Sequence, residues 1–172
     1  MRDVKVSRVF FILLASLIIG FLLGLAIKYR YEASMFEPYT WKHPPAIINC
    51  YGPDFNEYQI KRAINYWEDN GYPIGFYEHD PPSSVCDNSW LEGFIILRRT
   101  RSLPANTIAS TQRYSRYFEM IGAIIYYQSG SFNLDLINEH ELGHALGFTH
   151  IDEPGHIMHP LYHKMGRQFW LP

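Results

Sequence analysis

The stretch His140-Glu141-Leu142-Gly143-His144-Ala145-Leu146-Gly147-Phe148-Thr149-His150 constrains this chain more than any other. On a helix, His140 and His144 lie four residues apart and leave the same face, so their imidazoles can hold one metal ion. Gly147 stands where that helix must stop. Lacking a Cβ, it can turn the chain into the left-handed region and bring His150 back as a third nitrogen ligand. Three histidines fill three corners of a tetrahedron and leave the fourth for water, the arrangement of a catalytic zinc. Structural zinc sites usually close all four positions with cysteine-rich sets.

A histidine pair at helical spacing is common on ordinary solvated helices, so the pair alone is weak. The third histidine, Gly147 and Met158, eight residues after His150, make the pattern specific. Six of the eight histidines fall between His140 and His163. His156, His159 and His163 exceed the motif and read as surface residues or as supports behind the ligands.

The phrase from His140 to His150 together with Met158 matches H-E-x-x-H-x-x-G-x-x-H plus a Met-turn, so the chain resembles the metzincin metallopeptidases. With Pro160-Leu161-Tyr162 as a Pro-x-Tyr, it is most similar to the matrixins, the catalytic domains of matrix metalloproteinases. The resemblance implies an α+β, metzincin-like zincin fold, in which a twisted mixed β-sheet carries two main helices. It further implies one catalytic zinc on His140, His144 and His150, with Glu141 as general base. Met158 would form the floor beneath the metal, and Pro160 and Tyr162 the wall of the S1′ substrate pocket. No segment matches the family's structural-zinc and calcium loop, so a single zinc and no required calcium are expected. Ile151 stands where matrixins usually have Ser, and Glu153-Pro154 where Asp-Pro is usual. The chain ends before the family's carboxy-terminal helix, which leaves part of the lower subdomain uncovered unless Phe169-Trp170 packs there.

The chain has 172 residues, net charge -2 and 47% hydrophobic residues, enough for one modest domain and an apolar segment. Without a basic run, it lacks the electrostatic term that drives nucleic-acid binding, and no such partner is expected. Val9 to Ile27 carries no charge and, as a helix, nearly spans a bilayer core, which predicts a transmembrane anchor. A cleaved signal peptide competes, but its apolar core is usually shorter and no clean A-x-A-like site follows. Arg2, Lys5 and Arg8 before the span, against Lys28 and Arg30 after it, weakly favour a cytoplasmic amino terminus. The expected order is a cytoplasmic tail over 1–8, the span over 9–27, a tether over 28–45 and a catalytic domain over 46–172.

Cys50 and Cys86 allow one disulfide, which needs an oxidising compartment. Cys50-Tyr51-Gly52-Pro53-Asp54 has a second reading, as a variant of the matrixin cysteine switch, although Tyr51 separates Cys from Gly.

Along the folded part, Ala46 to Tyr51 reads as a strand closed by Gly52-Pro53. Asp54 with Glu57 is a capping-box-like start. Ile60, Ala63, Ile64 and Trp67 keep helical spacing until Asn70-Gly71. Further strands are expected at Ile74 to Glu78, Gly93 to Leu97, Thr107 to Gln112 and Met120 to Tyr127. The strand near Ile108 is where a substrate would pair in extended form. The motif helix is expected to begin at Ser131 or Asn133, with Asp135 in its first turn. The combined expectation is a membrane-anchored zinc endopeptidase acting on proteins or peptides outside the cytoplasm. Its rivals are a zinc-holding interaction module with little turnover, and a structural membrane protein whose motif is accidental.

Overall fold

The computed structural model describes residues 14–25 and 40–171. The expected cytoplasmic tail, the flanks of the apolar span, the tether up to residue 39, and Pro172 lie outside the described residues. Residues 14–25 are helical (α1). Among the described residues no helix is long and apolar enough to cross a membrane.

Residues 38–172 form a separate compact unit. Its first described element is a two-residue strand, β1 (Thr40–Trp41), inside the stretch expected to be a tether. Trp41 is what fixes it, because its indole Nε1–H donates to the carbonyl of Ala145 at 3.0 Å. Strand β2 (Ala46–Cys50) follows and is nearly all buried, as suits a parallel strand covered on both faces.

Helix α2 (Glu57–Asp69) starts two residues later than a cap at Asp54 would place it. Asn56 is the cap, its side-chain oxygen accepting from the Tyr58 N–H at 3.0 Å, while Asp54 pairs instead with Arg99 at 2.9 Å. The helix buries Ile60, Ala63 and Trp67 and ends at Asn70, with Gly71 in the left-handed region. Of the strand expected over Ile74 to Glu78, only Tyr77–Glu78 is regular strand (β3); before it the Phe76 carbonyl accepts from the Ile47 N–H, and Gly75 lies against the backbone of Pro44 and Pro45 and donates to the Pro45 carbonyl. A single-turn helix, α3 (Ser83–Cys86), carries Cys86 to Cys50, and the two form a disulfide across 36 positions.

Strands β4 (Phe94–Arg99), β5 (Ala109–Arg116) and β6 (Glu119–Tyr127) complete a six-stranded mixed sheet. β6 is the hub: it pairs in parallel with β1 and β4 and antiparallel with β5. β4 passes the parallel pattern on to β2, and β2 to β3. β5 starts two residues later than expected and runs four further, into a hairpin whose turn residues Tyr117 and Phe118 both have positive φ.

After β6 comes a 3-10 turn at Ser131–Asn133, and helix α4 (Ile137–Leu146) begins only after it. Neither Ser131 nor Asn133 caps the helix. The Ser131 hydroxyl donates back to the Gln128 carbonyl, and the buried Asn138 amide donates to the Phe132 carbonyl at 2.7 Å, tying turn to helix. Leu136, at φ 65, makes the entry instead. Asp135 is drawn outward to Arg62 and Arg167, each at 3.0 Å.

α2 and α4 pack together through an aromatic cluster. Trp67 stacks on Phe148 with centroids 5.0 Å apart, and Phe169 meets Trp67, Tyr72 and Phe148 edge-on. Gly143 makes the approach possible: a Cβ there would collide with the Met158 sulfur and the Trp67 ring.

Candidate active site

Every residue of α4 except His144 is buried, so the helix is seated between α2 and the sheet and opens only onto one cleft. Gly147, at φ 113, ends it as the sequence requires. Its N–H bonds back to the His144 carbonyl, and the turn delivers His150 to the first two histidines.

The chemistry of the donors is fixed by what lies behind them. His140 Nδ1 donates to the Ile157 carbonyl at 2.8 Å, and His144 Nδ1 to the Phe148 carbonyl at 2.8 Å. A carbonyl only accepts, so in both neutral rings the proton is on Nδ1 and the lone pair on Nε2. Those two Nε2 atoms lie 3.1 Å apart, and His150 Nε2 lies 3.1 Å from that of His144. The three ligand atoms all fall within 4.8 Å of one another. Two lone pairs held that close repel unless a cation lies between them. The donor set therefore fits a three-nitrogen zinc site with its remaining position toward the cleft.

Burial favours the neutral, metal-binding form. It pulls the His140 pKa down to about 4 and the His144 pKa to about 3, with the neighbouring imidazoles adding to the shift. His150, more exposed, is lowered by the same cause. Glu141 is 5% exposed, and burial raises its carboxyl pKa to about 7 against a hydrogen bond from Thr111 that lowers it. A carboxyl with a pKa in that range is suited both to take and to give a proton near neutrality.

Met158 is fully buried under Gly143, and the Met-turn around it is braced by the surplus histidines. His156 Nδ1 accepts from the Met158 N–H at 2.9 Å, which puts the ring proton on Nε2, donated to the Trp170 carbonyl at 3.0 Å. His159 Nδ1 accepts from the Leu161 N–H at 2.9 Å. Its Nε2 is 3.1 Å from the Asp152 carboxylate, outside hydrogen-bond direction. Both rings are fully buried, where the sequence left a surface position open, because each serves as an internal staple of the loop. His163 is exposed. Phe169 fills the aromatic cluster, while Trp170 remains partly exposed and supplies its carbonyl to His156.

The cleft in front of the histidines has a volume of about 740 Å³. One wall is β5 and the segment before it, through Ile108, Ala109 and Thr111; the other holds Pro160, Tyr162 and Met165. Pro160 and Tyr162 thus lie on the same cleft as the histidines and Glu141. Cys50 is far from this chemistry in role, since its sulfur is bonded to Cys86 and in this state is no thiolate.

Two side chains on β5 escaped the sequence reading. The Thr111 hydroxyl donates to Glu141 Oε2 at 2.7 Å, and Arg113 Nη1 donates to the Gly147 carbonyl at 3.1 Å. They are two residues apart, so they leave the same face of the strand and reach two successive points of the motif. Only the period-two pattern of a strand beside the helix could have singled them out.

A family model described as Matrixin, Peptidase_M10, matches residues 51–172, more than two thirds of the chain. That range holds the helix, the three histidines, the Met-turn and the cleft walls, and the chain belongs to the matrixin family of zinc metallopeptidases.

Proposed function

We propose that this chain is a zinc-dependent endopeptidase that cleaves extracytoplasmic proteins or peptides, with Glu141 as its general base. The observation that carries the reading is the convergence of three imidazole Nε2 atoms beside a buried carboxylate on one cleft.

His140, His144 and His150 would hold the zinc, which when bound lowers the pKa of a coordinated water to roughly 7 and polarises the scissile carbonyl. Glu141 Oε1 takes a proton from the attacking water as the new C–O bond forms, and returns it to the amine nitrogen as the C–N bond breaks. β5 pairs only with β6 among the described strands, so its other edge can accept an extended peptide backbone by strand addition. An apolar P1′ side chain suits the wall of Pro160, Tyr162 and Met165.

The disulfide Cys50–Cys86 supports an oxidising compartment. The uncharged stretch from Val9 to Ile27 supports a single-pass anchor with the catalytic unit outside. Carbonate extraction of the full chain tests the anchor: it should stay with the membrane pellet, and release into the supernatant would remove that part of the reading.

The chemistry is tested by Glu141→Gln, which should keep one zinc per chain and lose peptide cleavage. Cleavage at the wild-type rate would discard the mechanism. A wild-type protein that binds one zinc yet cuts no quenched peptide would replace it with the interaction-module reading.

A further inference from the structure

The geometry points to Thr111 as the positioning residue of the general base: its hydroxyl, delivered by edge strand β5, fixes the Glu141 carboxylate so that Oε1 is the oxygen offered to the reacting water. This rests on the proposed peptidase reading and deepens it.

Glu141 needs an external guide. It lines the cleft from α4, and a carboxylate on two methylenes has several rotamers to choose among. Its neighbour along the helix, Glu139, is gripped by a guanidinium through both oxygens, at 2.6 and 3.2 Å. Among the described residues no cation pairs with Glu141. Its side chain has one described hydrogen-bond partner, the Thr111 hydroxyl, 2.7 Å from Oε2.

Three features make Thr111 suited to this task. It is β-branched, so χ1 is stiff and its hydroxyl is aimed in advance. It belongs to a strand locked by pairing with β6, where Thr111 lies opposite Ile125, so its backbone cannot drift. The same strand is tied to α4 a second time by Arg113 on the Gly147 carbonyl, which fixes the distance between hydroxyl and helix. The hydroxyl is also 3.1 Å from the Glu141 backbone carbonyl, giving its one proton a second acceptor on the same residue. Because a hydroxyl both donates and accepts, Thr111 can hold the carboxyl side chain in place before and after it has taken up a proton.

The discriminating pair is Thr111→Val and Thr111→Ser. Valine keeps the branched shape and loses the hydroxyl, whereas serine keeps the hydroxyl. With zinc content and Tm measured alongside, Thr111→Val should lower kcat by about 10- to 100-fold, the range for an orienting bond to a charged group, with KM nearly unchanged. Thr111→Ser should restore most of that loss. A crystal structure of Thr111→Val should show the Glu141 carboxylate turned away from its present position, a readout that needs no turnover. Unchanged kcat in the valine variant, an equal loss in the serine variant, or an unmoved carboxylate would overturn the assignment. If wild-type protein is itself inactive, the peptidase reading fails while the crystallographic comparison still decides whether Thr111 sets the side chain.

Discussion

Glu139 and Glu141 lie two residues apart on one short helix, and both are buried, yet they sit in opposite surroundings. Glu139 faces α2. Arg62 bonds both of its oxygens, and Arg62 in turn reaches Asp135, which also takes Arg167. Glu141 faces the cleft and meets a hydroxyl instead of a cation. The difference separates two uses of a buried carboxylate. Matched to a guanidinium, it fastens one helix to another; left with a neutral donor, it keeps a proton affinity that chemistry can use.

The contrast can be broken from either side. Glu141→Gln carries the largest expected effect, a loss of about 10²- to 10⁴-fold in kcat, the usual contribution of a positioned acid-base group, with Tm held. Arg62→Ala should do the reverse. It leaves the Glu139 carboxylate buried without its partner and costs about 3–5 kcal/mol of stability, read by chemical denaturation, while the protein that remains folded keeps its kcat. If both variants lost activity and stability together, the two carboxylates would belong to one network and the division would be false.

Smaller changes sharpen it. Replacing Cys50 and Cys86 by Ser removes a link that closes 36 positions, worth at most about 4 kcal/mol, and should lower Tm without altering zinc content. Gly143→Ala pushes a methyl group toward Met158 and Trp67, on the side of α4 away from the cleft. It should cost about 1–3 kcal/mol by overpacking, measured as a fall in the denaturation midpoint. A Gly143→Ala protein as stable as wild type would mean that the Met-turn yields more easily than its buried packing implies.

Much of this arrangement is written in short-range pattern. The ligand spacing, Gly147 as a helix stop and the buried face of α2 at Ile60, Ala63 and Trp67 follow from periodicity and from what a residue without Cβ permits. What stayed illegible depends on partners remote in sequence. Asp54 has the look of a cap, but Arg99 claims it and Asn56 takes the role. Ser131 has the look of a helix start, but its hydroxyl is spent on the turn before. Thr40–Trp41 gave no strand signal because two residues cannot show a period; the register with Glu119 and Met120 and the indole bond to Ala145 define it. Likewise, nothing local separates Thr111 from any other strand threonine until α4 is laid beside it, and His156 and His159 become interior residues only when the loop closes on them.

The position of β6 has one more consequence. This strand borders three others, and the chain passes from it through a single 3-10 turn into the helix that bears His140. Amides in its centre and in β4 should be the slowest in the protein to exchange with deuterium, those of β1 and β3 among the fastest. Fraying at the rim of the sheet would leave the histidines in register, whereas any opening that frees β6 must dissolve the metal pocket in the same event.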